Sequence, residues 1–117
     1  MKRLVNAFLN SLSALKFGFT SENALREELI LLIISLPVAP LLTQDPWKVI
    51  ALWGSLLLVL SVEFLNTGVE KLADRVTTDR DDLIKIAKDC GSAAVLMSLV
   101  IAAMIWGLVA AEWLGIA

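Results

Sequence analysis

The sequence predicts an all-α integral membrane protein with three transmembrane helices and an N-terminal amphipathic helix on the membrane surface. Hydrophobic residues make up 58% of the 117 residues, charged residues only 19%, and the mean hydropathy is +0.79. A soluble domain is typically about 45 to 50% apolar and about 25% charged. Residues 93–111 form a run of 19 positions without a charge. We therefore expect one membrane-embedded domain over residues 1–117, surrounded by the lipid bilayer.

Charge and cysteine content exclude several classes of function. The net charge is -2, and no run of lysine or arginine is present that would track phosphates, so no nucleic-acid partner is expected. The chain has no histidine and one cysteine, Cys90, which leaves no internal disulfide and no zinc or haem motif. Cys90 is interpreted as a small apolar packing residue.

The first element is a predicted surface helix over residues 2–16. Leu4, Phe8, Leu12 and Leu15 fall on one side of this helix and polar residues fall elsewhere. The segment lacks the uninterrupted apolar core and the cleavage site of a signal peptide, so we expect it to remain and to lie on the membrane surface.

The second element is predicted over about residues 24–43. Ser21 is a possible N-cap, and Glu22, Glu27 and Glu28 suit the positive end of a helix dipole. Its uncharged part, residues 29–42, is about 21 Å long, shorter than the hydrocarbon core of about 30 Å. The charged first turns must therefore lie close to the interface.

The last two helices are predicted over about residues 47–76 and 84–115. Pro46 favours the first turn of the earlier one, which is long enough to cross the bilayer and to project beyond it. The later one contains the uncharged run of residues 93–111.

The distribution of basic residues predicts the orientation. All lysines and arginines except Lys48 fall on one predicted side, which the positive-inside rule makes cytoplasmic. Trp47 and Trp113 lie at the opposite helix ends, where indole rings commonly sit among lipid headgroups. The N-terminus should therefore be cytoplasmic and the C-terminus should face outward.

A polar stripe runs along the helix of residues 47–76. At 100° per residue, Glu63, Asn66, Glu70 and Asp74 fall within about 80° of one another. A carboxylate turned toward lipid is costly, so the stripe should face other helices or a cleft and is a candidate functional site. The alternative is that these residues only solvate the helix end, which is the interpretation adopted for Asp74 and Lys71 and left open for Glu70.

Three helix ends should meet in one cytoplasmic layer, which contains Glu22, Glu27 and Glu28, the lower part of the stripe, and the pair Lys88 and Asp89. Carboxylates there can hold Mg²⁺, a lysine can meet a phosphate, and a deeper carboxylate can remove a proton from a lipid hydroxyl. None of the usual nucleotide-binding motifs of soluble kinases is present.

Several of these residues belong to segments that resemble a known family. The segment VEFLNTGVEKLADRV (62–76), followed by AKDCGSAAVLMS (87–98), resembles the bacterial diacylglycerol kinase family, and the likeness extends upstream through ENALREE (22–28). The resemblance implies a small three-span kinase of the bacterial inner membrane, assembled as a homotrimer with composite active sites between subunits.

The resemblance also implies a role for each matching position. Glu63 would be the general base for the lipid hydroxyl, supported by Asn66, and Lys88 would neutralise charge on the transferred phosphoryl group. Glu22 and Glu70 would bind the Mg²⁺ that bridges the ATP phosphates. Nucleotide contacts are implied for Arg3, Asn10, Glu22, Glu70, Asp79, Arg80, Asp81, Lys88 and Asp89, and lipid-substrate contacts for Ala24, Glu28, Glu63 and Ser92.

Four hypotheses for function follow. The leading one is phosphorylation of 1,2-diacylglycerol by ATP at the cytoplasmic membrane face, giving phosphatidic acid, and the nearest alternative is an undecaprenol kinase of the same family. A small proton-coupled transporter would also use a membrane glutamate, but such carriers usually show internal repeats and charge near the midplane. A non-catalytic assembly subunit would use the small residues Gly91, Ser92, Ala93 and Ala94 for helix packing, but leaves the polar stripe unexplained.

Overall fold

The chain forms four α-helices joined by short connections in the computed structural model, which describes residues 1–117. They are α1 (Lys2–Ser21), α2 (Asn23–Leu42), α3 (Pro46–Val76) and α4 (Asp82–Trp113). No strand is present, so the predicted all-α class is confirmed.

The junction of α1 and α2 differs from the sequence prediction. Instead of ending at Lys16, α1 continues to Ser21, and Glu22 alone separates it from α2 with an extended backbone (φ -125°, ψ 118°). The N–H of Glu22 donates to the carbonyl of Gly18, and the Arg26 Nε donates to the carbonyl of Phe19 at 2.8 Å. Ser21 is therefore not an N-cap, because it is the last residue of α1. Glu22 occupies the cap position between the two helices.

Side-chain caps fix the starts of the two long helices. Asp45 Oδ1 accepts from the N–H of Trp47 at 2.9 Å, and Pro46 occupies the first turn of α3. Asp81 Oδ1 accepts from the N–H groups of Leu83 and Ile84 at the start of α4. Such caps satisfy backbone donors that have no partner within the helix.

Two of the helices, α3 and α4, are long and apolar enough to cross a membrane. They contain 31 and 32 residues, and in their most apolar segments only 33% and 17% of the residues are buried within the chain. The core helix of a soluble protein would be mostly buried, whereas these helices leave large apolar side chains exposed. The length, composition and exposure of α3 and α4 are therefore those of membrane-spanning helices.

Helix α2 does not have an uncharged apolar segment long enough to meet the same criterion. It has 20 residues, and Arg26, Glu27 and Glu28 occupy its first two turns, so too little uncharged length is left. Its crossing of the membrane stays a prediction.

The buried core lies where α2, α3 and α4 meet, toward the end remote from the polar stripe. Ala39, Leu52 and Val109 are buried there, and Trp53 and Trp106 pack against them.

Indole hydrogen bonds connect the three helices in this core. Trp53 Nε1 donates to the carbonyl of Ser35 at 2.9 Å, and Trp106 Nε1 lies 3.1 Å from Ser55 Oγ and 3.2 Å from the carbonyl of Leu52. Buried indole N–H groups usually find a partner, and such a bond has no competition from water in an apolar layer. Both tryptophans therefore tie α3 to its neighbours.

The bond from Trp106 predicts a difference between two tryptophan variants. Trp106→Phe removes the donor that links α4 to α3 and should lower the free energy of unfolding by about 0.5 to 2 kcal/mol. Trp47→Phe is the matched control, since Trp47 is exposed and its side chain makes no hydrogen bond. Reversible unfolding in mixed detergent micelles measures both variants, and equal effects would contradict a stabilising role for the Trp106 bond.

Candidate functional site

The polar stripe of α3 lies between the other helices. Asn66 is buried at 8% exposure, Glu63 is half-buried, and Glu70 is exposed nearer the end of the helix. Asn66 Nδ2 donates to Glu70 Oε1 at 3.4 Å, one helical turn away. The stripe thus changes from buried to exposed along a single helix face.

Carboxylates from α2 and from the α1–α2 junction surround this stripe. Glu63 lies close enough to Glu22, Glu28 and Glu70 for repulsion between the carboxylates. Glu28 is half-buried, and its Oε2 has no hydrogen-bond partner. The structure therefore brings Glu22, Glu28 and Glu70 near the deeper Glu63, whereas Glu27 of the predicted layer is exposed. A cation or a hydroxyl donor would relieve the repulsion among the four carboxylates.

The carboxylates do not form a ready metal cage. No group of three or more His, Cys, Asp or Glu side chains is close enough to hold a metal ion. Glu22 Oε1 is instead 3.0 Å from Lys71 Nζ, and Glu70 accepts from Asn66. Mg²⁺ commonly uses one or two protein carboxylates and completes its shell with water and substrate phosphates. The carboxylate oxygens of Glu22 and Glu70 are of the kind that such an ion uses.

Helices α3 and α4 are in close contact at Gly91 and Asn66. A Cβ atom at position 91 would clash with Asn66 Oδ1. That oxygen is buried and has no hydrogen-bond partner. Only glycine leaves room for Asn66 at this point, so Gly91 sets where the amide can sit.

A depression of about 260 Å³ opens at the connection between α3 and α4. It is lined by five of the predicted nucleotide contacts together with Ile84 and Lys85; the five are Asp79, Arg80, Asp81, Lys88 and Asp89. Lys88 Nζ is 2.7 Å from Asp74 Oδ1, and Lys85 Nζ is 2.7 Å from Asp89 Oδ2. The predicted loop and lysine therefore share one surface, next to Asp74 of α3.

An apolar groove of about 290 Å³ lies between α3 and α4 at the Asn66–Gly91 contact, and both residues line it. Val62, Leu65 and Val69 of α3 face Ala87 and Ala94 of α4 across it. Cys90 also lines this groove and is exposed, so its interpretation as a packing residue is not met within one chain.

Four predicted site residues are not brought into this arrangement. Arg3 and Asn10 are exposed on α1, and their side chains make no hydrogen bond or ion pair. Ala24 and Ser92 are also exposed, and neither lines the depression or the groove.

Two ion pairs next to the stripe were not predicted from the sequence. Asp74 and Lys71 were interpreted as residues that solvate the end of α3, yet each makes an ion pair with a predicted site residue, Lys88 and Glu22. Lys71 Nζ also lies 5.7 Å from the ring centre of Phe17. Their position on the stripe helix was the available signal, but the partners come from other helices and have no fixed spacing in sequence.

Comparison with known proteins identifies the same family as the motifs. Residues 9–110 match the family model described as prokaryotic diacylglycerol kinase. The chain is similar to the diacylglycerol kinase of Haemophilus influenzae, with 38% identity covering 92% of this chain and 91% of that protein. It is also similar to the diacylglycerol kinases of Pseudomonas aeruginosa (37% identity; 91% and 86% covered) and Escherichia coli (33% identity; 89% and 85% covered).

The Asn66–Gly91 contact predicts that two glycines of α4 tolerate a methyl group differently. Gly91→Ala forces Asn66 out of its position and should destabilise the protein by about 1 to 3 kcal/mol. Gly107→Ala is the matched control, because nothing lies within 4 Å of the added Cβ and alanine favours a helix. Unfolding in detergent micelles measures both variants, and an unchanged stability of Gly91→Ala would contradict the close contact.

Proposed function

The chain belongs to the prokaryotic diacylglycerol kinase family, and on that premise we propose that it transfers the γ-phosphoryl group of ATP to 1,2-diacylglycerol, giving phosphatidic acid. The observation that carries the proposal is the stripe of Glu63, Asn66 and Glu70, in which Asn66 bonds to Glu70 and also lines the apolar groove between α3 and α4. The polar depression lies at the loop end of the same two helices. A water-soluble nucleotide can approach from the depression, and a membrane lipid can approach from the apolar layer.

In the proposed reaction, Glu63 acts as the general base. Its carboxylate accepts the proton of the lipid hydroxyl, and the hydroxyl oxygen forms a bond to the γ-phosphorus. The bond from that phosphorus to the bridging oxygen breaks, and ADP leaves. Glu63 suits this role because it is the half-buried carboxylate deepest on the stripe, where the acceptor hydroxyl arrives from the apolar layer.

The remaining residues align the phosphates and neutralise their charge. Phosphoryl transfer needs mostly positioning and charge stabilisation, which a small protein can provide. Glu22 and Glu70 would hold Mg²⁺, which would supply positive charge to the phosphates. Lys88 would donate to the transferred phosphoryl group, and Asn66 would keep Glu70 and Glu63 in place.

The other nucleotide contacts proposed are on the loop and on α1. Asp79, Arg80, Asp81 and Asp89 line the depression beside Lys88, which supports a position for the nucleotide there. Asp81 Oδ1 also caps α4, so a contact between Asp81 and ATP would use Oδ2 or the backbone.

We further propose a homotrimer in the bacterial inner membrane, with α2, α3 and α4 as its three spans. The N-terminus would be cytoplasmic and the C-terminus would face outward. Exposed apolar side chains on α1, such as Leu4 and Phe8, support its lying on the membrane surface. Arg3, Asn10, Ala24 and Ser92 reach no site within one chain, which fits sites completed by a neighbouring subunit.

The substrate is tested by transfer of radiolabelled γ-phosphate from ATP·Mg²⁺ in mixed micelles. The wild-type protein should label dioleoylglycerol strongly and undecaprenol weakly. Labelling of undecaprenol alone would move the protein to the sister activity, and labelling of neither lipid would contradict the proposed kinase function.

The role of Glu70 is tested by metal dependence. Glu70→Gln keeps the shape of the side chain but removes a charged oxygen ligand, so the Mg²⁺ concentration for half-maximal activity should rise about tenfold or more. Glu112→Gln is the control, because it removes a carboxylate at the end of α3 and α4 that is remote from the stripe. An unchanged Mg²⁺ requirement in Glu70→Gln would contradict its role as a ligand.

A further inference from the structure

We infer that Asp74 is a positioning residue that holds Lys88 in the nucleotide-free protein and competes with the phosphates of ATP for it. The inference rests on the proposed function of the site. Asp74 belongs to α3 and Lys88 to α4, and their side chains meet at 2.7 Å from Oδ1 to Nζ.

The location of the pair places it where phosphate would bind. Asp74 lies one helical turn beyond Glu70 on the same face of α3. Lys88 lines the depression together with the loop of residues 79–81. The ammonium of Lys88 therefore lies between the carboxylate stripe and the nucleotide surface.

Both lysines of the depression are already paired within the chain. Lys85 meets Asp89 at 2.7 Å, one turn along α4, and Lys88 meets Asp74 across the two helices. A nucleotide phosphate that reaches either lysine therefore meets an ammonium group already paired with a carboxylate, and competes with that carboxylate for it; Arg80 is the remaining cation of the depression. Carboxylate and phosphate oxygens both accept charge-assisted bonds from an ammonium group, so the exchange keeps Lys88 paired.

The exchange is feasible because the pair is not deeply buried. The Lys88 and Asp74 side chains are 40% and 53% exposed. Exposed ion pairs contribute little to stability, so a polyvalent phosphate can displace Asp74. After displacement the Asp74 carboxylate remains near the phosphates and repels them. Asp74 therefore lowers the affinity for ATP both before and after Lys88 changes partner.

A second ion pair on the same two helices provides a control. Lys48 and Glu112 join the start of α3 to the end of α4, also at 2.7 Å, with side chains 41% and 37% exposed. This pair lies at the end of the helices remote from the stripe. A purely structural role for Asp74 predicts that its loss resembles the loss of Glu112.

The test compares Asp74→Asn with Glu112→Gln in detergent micelles by titration with a non-hydrolysable ATP analogue and Mg²⁺. Asp74→Asn should bind the analogue about two- to fivefold more tightly than the wild type at low salt, and Glu112→Gln should bind as the wild type does. The gain should shrink at about 0.5 M salt, because exposed charges are then screened. The KM for ATP should fall in parallel, while the KM for diacylglycerol stays constant.

Weaker or unchanged binding of the analogue by Asp74→Asn would overturn the inference, as would an equal gain in Glu112→Gln. Asp74→Ser serves as a second variant if Asp74→Asn does not fold. Lipid labelling by the wild type without tighter binding in either Asp74 variant overturns only this inference. A wild-type protein that neither binds the analogue nor labels lipid overturns the proposed function as well.

Discussion

The contact between Asn66 of α3 and Gly91 of α4 is the interaction on which the arrangement of the site depends. The absence of a side chain at Gly91 lets α4 approach α3 until the buried amide lies against it. Because α3 and α4 run in opposite directions, this approach fixes which residues oppose one another on either side. It brings Lys88 opposite Asp74 at the loop end, and the same alignment joins Lys48 to Glu112 at the far end.

Polar groups are distributed along these helices according to the cost of burying them. In the apolar part, the polar contacts between helices are short bonds from indole N–H groups to carbonyl or hydroxyl oxygens. Charged groups occur near the helix ends, where water or an opposite charge is available. Glu28 and Glu63 are the exceptions, since both are half-buried among like charges. Such an unfavourable arrangement is typical of a site that binds or transfers something.

Much of the fold was predictable because membrane helices leave simple patterns. Pro46 predicted the start of α3, and the charge-free run of residues 93–111 predicted α4. Helical periodicity placed Glu63, Asn66 and Glu70 on one face of α3. The end of α1 was not predicted, because the contacts around it come from outside that helix: Arg26 of α2 bonds to Phe19, and Gly18 lies against Leu25 of α2 and Phe64 of α3. For the same reason the partners of Asp74 and Lys71 were missed: an ion pair between helices follows from their packing and leaves no spacing rule in the sequence.

In the proposed reaction, the proton of the lipid hydroxyl passes to Glu63. The most direct measurement is single-turnover transfer of phosphate to dioleoylglycerol by Glu63→Gln, with binding of the ATP analogue measured on the same sample. We expect the rate of phosphate transfer to fall by at least about a hundredfold, with analogue binding and stability close to those of the wild type. Transfer within about tenfold of the wild-type rate would contradict the assignment of Glu63 as the base.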